Sequence, residues 1–175
     1  MIIPDWMIFQ LCQGNVPDRI KQIIYVDTSV DNGLPLRIKP LVDPVDVNTI
    51  TCHQVGLRVG NTAKLHLGVR EYNPIDLSQH TKDNPYLLQP NGLVVLQTKE
   101  SINLPSYLIS DVDLEHERWE DGYHYHWSNY RGTQDNKLVM AISNRTVKEL
   151  PLYPDLSIAQ ISFYLMLAKP ANESQ

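Results

Sequence analysis

Cysteine is scarce in this chain: Cys12 and Cys52 are the only two in 175 residues, and no CxxC spacing occurs. That argues against a disulfide scaffold and against a cysteine-built zinc site. No apolar run approaches the roughly 20 residues that cross a bilayer, so no membrane segment is expected. The apolar opening, Met1 to Leu11, carries Asp5 and lacks the basic start and small-residue cleavage site of a signal peptide. A basic face is missing as well. Fifteen Lys and Arg are scattered among twenty Asp and Glu, for a net charge of -5. Proteins that grip a nucleic acid backbone gather their cations on one face, so no nucleic acid partner is expected. Neither a phosphate loop nor a dinucleotide-binding fingerprint is present. These absences together describe a soluble, intracellular, cytoplasmic protein of one domain.

Glycine is modest at 8 residues, and the 12 prolines share the punctuation with Asn and Asp. Such close punctuation favours many short strands over long helices. One short helix is expected at the start, over Trp6 to Gln13, with Asp5 as N-cap and Gly14 as stop. Strands are expected over Val55–Val59 and Leu65–Val69, separated by a Gly60-Asn61 turn. Further strands are expected over Leu93–Thr98, after Asn91-Gly92, and over Leu138–Ile142. A last strand should carry Ile161, Phe163, Leu165 and Leu167 on one face, with Ser162, Tyr164 and Met166 on the other. By period and punctuation the chain is an all-β sandwich or barrel.

Four segments, in order, then give the pattern a family likeness. Met1-Ile2-Ile3-Pro4-Asp5, with Gly14 beyond it, resembles the short N-terminal helix of the dCTP deaminase branch of the dUTPase superfamily. Val55-Gly56-Leu57-Arg58-Val59-Gly60-Asn61 resembles that family's "DLRLGN" segment. Leu88-Gln89-Pro90-Asn91-Gly92, then Thr98-Lys99-Glu100-Ser101-Ile102-Asn103-Leu104-Pro105, resembles "L-x-P-G … T-x-E-x-(V/I)-x-L-P". Leu150-Pro151-Leu152-Tyr153-Pro154-Asp155 and Ile158-Ala159-Gln160-Ile161-Ser162-Phe163 resemble "LPLYPG … IAQLxF". The resemblance implies a dUTPase-like distorted β-barrel or jelly-roll, assembled as a homotrimer with ligand sites at subunit boundaries. It divides the single domain into a divergent part over 1–50, a β core over 51–167 and a short tail over 168–175. The tail is expected to be too short to close over a nucleotide.

Counting without gaps from Leu104-Pro105 places Gly122 and His126 on a family glycine and histidine. In that register the family's phosphate-contacting "GRSS" falls on Leu114-Glu115-His116-Glu117, and its following arginine falls on Glu120. The proton-carrying carboxylate of the "IVLE" strand falls on Ala141, and the "DPG" turn is replaced by a shorter one at Asp135-Asn136. The catalytic positions are therefore expected to be occupied by Glu115, His116, Glu117, Glu120 and Ala141, none able to serve as the family's groups do. Replacing phosphate donors by acids turns attraction into repulsion, which argues against nucleotide binding. His126, Ser128 and Asn129 remain as candidate ligand-binding residues.

The segment from Asp111 to Asp121 holds Asp111, Asp113, Glu115, Glu117, Glu120 and Asp121 against one base, Arg118. The simplest expectation is a solvated acidic loop, not a helix, followed by an amphipathic strand on which His124 and His126 share a face. The sharper alternative is a divalent cation site, zinc or magnesium, on His116, Glu120 and His124; otherwise no cofactor is expected. Trp119, Trp127 and Tyr130 could instead offer a surface to a protein partner, or complete the core. Three functions stay open: an inactive trimeric binding or regulatory module, an active dCTP deaminase or dUTP diphosphatase with substituted residues, and a metal-stabilised structural protein.

Overall fold

A computed structural model of the chain describes residues 2–18, 20, 39–45, 47–51, 54–105, 107–129 and 136–165. Helix α1 (Asp5–Cys12) is followed by strands β1 (Val42–Asp43), β2 (Ile50–Thr51), β3 (Gln54–Gly68), β4 (Glu71–Asp76), β5 (Tyr86–Leu88), β6 (Leu93–Ile102) and β7 (Leu108–Leu114). A second short helix, α2 (His116–Asp121), leads into β8 (Tyr123–Asn129), β9 (Lys137–Asn144), β10 (Leu150–Leu152) and β11 (Ser157–Leu165). Nine strands form one sheet whose main path is β7-β11-β3-β6-β9-β8, with β1 beside β6 and with β2 and β4 beside β3. Strands β10 and β5 form a separate antiparallel pair. The expected class, all-β with a short N-terminal helix, is the class observed.

The fold divides into two compact units. The first comprises Met1–Val55, Asn103–Asp111 and Ser162–Gln175. Its helix α1 is capped by Pro4, not by Asp5 as expected. Pro4 is the extended N-cap, and its carbonyl accepts from the Met7 and Ile8 amides at 3.0 and 3.1 Å. Asp5 sits inside the first turn, where a carboxylate faces the positive end of the helix and takes the Trp6 N–H at 2.7 Å. Proline suits this boundary because it needs no amide partner and cannot itself lie deeper in a helix. Gly14, with φ at +76°, ends the helix as expected. Met7, Ile8, Leu11 and Cys12 form its buried side, and burial pushes the Cys12 thiol up to about 11. On β11 in this unit, Ser162 is buried like its apolar neighbours and receives a hydrogen bond from Gln54 Nε2 at 3.2 Å. The polar face expected for this strand is therefore covered at Ser162. Met166 and Leu167 lie outside the described residues.

The second unit comprises Gly56–Ile102 and Val112–Ile161. The turn expected at Gly60-Asn61 is absent: β3 runs through it as one strand of 15 residues. A register shift against β6 between Val59 and Ala63 marks a bulge there instead. Gly60 is needed for close approach, since a Cβ there would lie 2.9 Å from the Gln97 carbonyl oxygen and 3.0 Å from that of Thr98. The chain reverses later, at Val69-Arg70, with Arg70 left-handed at φ +62°. Strand β6 alternates half-buried and buried along its whole length, the period that a strand with one covered face requires. Leu57, Val59, Val94, Leu96, Leu138, Met140, Ile142 and Ile158 are all fully buried in this unit.

Candidate functional site

The acidic segment and the histidine strand were the candidate site in the sequence, and both belong to the second unit from Val112 onward. The segment is not the open loop expected. His116–Asp121 forms helix α2, with Glu115 as the extended residue before it and Gly122 closing it in a left-handed conformation at φ +99°. The physical reason is Arg118. Its Nη1 lies 2.5 Å from Asp121 Oδ2, its Nη2 lies 3.2 Å from Glu117 Oε2, and its Nε lies 3.9 Å from Glu115 Oε2. Two of these partners sit three residues away, the spacing at which helical side chains meet. Exposed pairs of this kind contribute about 0–1 kcal/mol each, yet together they remove much of the repulsion that would keep the acids apart. Trp119 stands 64% exposed on this helix; the side chain of Trp127, and Tyr130, lie outside the described residues.

His116 and Glu120 lie on one side of α2, with Nε2 and Oε1 3.5 Å apart, and both are largely exposed. Among the described residues no group of three His, Cys, Asp or Glu side chains is placed to hold a metal ion. The set His116, Glu120 and His124 is therefore not brought together within one chain.

His124 and His126 do share a face of β8, with ring centroids 5.2 Å apart at a near-perpendicular angle. His126 is exposed, but its Nε2 reaches Ser143 Oγ at 2.8 Å, and Ser143 itself is buried. Partial burial at that edge, then the neighbouring His124 and Arg145, hold the His126 imidazole below its usual range. Backbone pairing sets Ser128 opposite Met140 and Asn129 opposite Val139; their side chains lie outside the described residues. Ala141 is buried at the centre of β9, between Val95 on β6 and Trp127 on β8.

A charged group that sequence reasoning passed over is better built than any of these. Glu100 is 1% exposed, and its carboxylate takes both the Arg58 amide at 2.8 Å and the Arg58 Nε at 2.7 Å. Asp155 lies 3.7 Å from Arg58 Nη1 and pairs closely with Lys99 Nζ. Thr98, beside them, donates to the Glu100 carbonyl at 2.8 Å and accepts from the Leu138 amide at 3.1 Å. The available signal was the coincidence of Arg58 and Thr98-x-Glu100 in two separate framework motifs, which spacing along the chain does not connect.

Among solved structures, the chain resembles 2'-deoxycytidine 5'-triphosphate deaminase from Agrobacterium tumefaciens, with a TM-score of 0.59 and 16% identity over 94% of this chain. That likeness shows the fold, the dUTPase-like distorted barrel or jelly-roll, and this chain spans 48% of the length of that one. The dCTP deaminase-like family model matches residues 26–166. The chain belongs to the dCTP deaminase-like family. It is 32% identical over 152 residues to the "dCTP deaminase, dUMP-forming" of Dictyoglomus turgidum, covering 78% of this chain and 75% of that protein. It is also 28% identical over 148 residues to the protein of the same description from Persephonella marina, covering 72% and 75%.

Proposed function

We propose that this chain is a catalytically inactive dCTP deaminase-like protein that acts as a homotrimeric binding or regulatory module. The observation that carries this reading is the state of Arg118, the one Lys or Arg side chain on α2. Three carboxylates already engage it. In the register counted from Leu104-Pro105, α2 and the residue before it occupy the family's phosphate-contacting stretch. Glu115, Glu117 and Glu120 there offer a triphosphate repulsion in place of charge-assisted donors. A unit-charge pair near 4 Å is worth about 4 kcal/mol at an effective dielectric of roughly 20. Ala141 adds a second deficit, because losing a positioned proton carrier costs on the order of 10²–10⁴ in rate.

The test is turnover. Purified protein with magnesium is expected to leave both dCTP and dUTP unchanged over hours, and clear deamination or hydrolysis by the pure protein overturns the proposal. One observation favours the opposite reading of an active nucleotide enzyme: the curated relatives above carry the description dCTP deaminase, dUMP-forming. Turnover that disappears in His116→Ala or Glu117→Ala would establish that reading.

A further inference from the structure

The turn between β10 and β11 holds a residue whose backbone and side chain make opposite demands. Tyr153 to Leu156 is a tight turn with Pro154 at its second place and Asp155, at φ +68°, at its third. The Leu156 amide donates to the Tyr153 carbonyl at 3.3 Å. This is the type II pattern, whose third place suits glycine. An L-residue in the left-handed region costs about 1–2 kcal/mol. The turn does not need the Asp155 side chain for its own position. The Asp155 amide donates to the Val59 carbonyl and the Val59 amide to the Leu156 carbonyl, both at 2.9 Å.

The carboxylate instead bridges two cations on adjacent strands, next to the Val59↔Thr98 pair. It pairs with Lys99 on β6 and lies 3.7 Å from Arg58 Nη1 on β3. Buried Glu100 fixes the direction of the Arg58 fork and balances one of the two positive charges. Asp155 balances the other. The Lys99 and Asp155 side chains are 41% and 52% exposed, so the place where they meet is open to solvent.

We propose that Arg58 and Lys99 form an oxyanion site for a phosphate group, which the Asp155 carboxylate occupies as a resident anion. A phosphate can reach both cations with separate oxygens and carries more charge than a carboxylate, so it competes for the same donors. The site lies on β3, β6 and the β10–β11 turn and is independent of whether α2 handles nucleotide.

Calorimetric titration with inorganic phosphate at low ionic strength tests the assignment. The proteins compared are wild type, Asp155→Gly, Asp155→Asn, and Asp155→Gly combined with Lys99→Met, each checked for retained strand structure by circular dichroism. Glycine suits the turn, and the asparagine variant keeps the shape of the side chain while removing its charge. Both single variants are expected to bind phosphate at least 10-fold more tightly than wild type, and the double variant is expected to lose that gain. Affinity unchanged from wild type in both folded single variants overturns the proposal, as does full retention of the gain in the double variant.

Discussion

Glu100, Glu115 and Glu120 are the same side chain in three surroundings. Glu100 is buried and takes two hydrogen bonds from Arg58; removing one partner of such a pair costs about 3–5 kcal/mol. Glu115 is a partly covered neighbour of Arg118 at 3.9 Å, and Glu120 stands in solvent beside His116. Residue type and spacing identify all three as acids and say nothing of which is buried. That is why the sequence pointed to the exposed ones, which cluster along the chain, and passed over the buried one, whose partner is 42 residues away. His126 carries a prediction at this scale. Its imidazole is held low in the folded protein by burial, His124 and Arg145. The unfolded chain therefore takes up a proton at higher pH than the folded one. The neutral form favours the fold above the ordinary histidine range, and that contribution is lost as pH falls from there through the lowered value. Thermal melts of wild type and His126→Gln from pH 7.5 to 5 should show wild type losing stability relative to the variant as pH falls. A constant gap between the two would contradict this.

Among the elements, those with a strong period were readable in advance. Strand β6 alternates as its sequence does, and α1 falls one residue from its expected span. The misread elements share a cause: one residue type serves two geometries. Gly60 looked like a turn and is a bulge glycine beneath the Gln97 and Thr98 carbonyls. Helix α2 has six residues with no apolar stripe, and what organises it is an arginine shared among acids. Its stop at Gly122 was visible as a glycine, though the reason for it was not. A Cβ at Gly122 would overlap Thr146 Cγ2. Thr146 cannot yield easily, because Asn144 Oδ1 takes both its amide and its hydroxyl at 2.8 Å. Gly122→Ala is therefore expected to cost about 2–4 kcal/mol, from left-handed strain together with overlap. Urea denaturation measures it, and a loss below about 0.5 kcal/mol, the range of an ordinary surface substitution, would contradict the account.

At the scale of the whole molecule, ordered motifs made the family and the all-β class legible across most of the chain. The stretch from 21 to 38 lies outside the described residues. No helix among the described residues is long and apolar enough to cross a membrane. The proposed homotrimer predicts a sedimenting species of three times the 20.1 kDa chain mass. A concentration-independent monomer in analytical ultracentrifugation would contradict it.

The order of strands in the sheet has a consequence for how the protein is made. Along β7-β11-β3-β6-β9-β8, only β9 and β8 are neighbours in the chain as well as in the sheet. Every other step on that path joins segments that leave the ribosome well apart in time. Sheets of such distant pairings fold slowly, on the order of milliseconds to seconds. β4 pairs with β3 over Thr62 to Gly68 as soon as it is made, but the stretch of β3 that β11 covers has no such partner until β11 has been translated. Throughout that interval the part of β3 that β4 leaves open presents unpaired amides and carbonyls to other nascent chains. Synthesis, more than the finished fold, is where this protein stands nearest to aggregation.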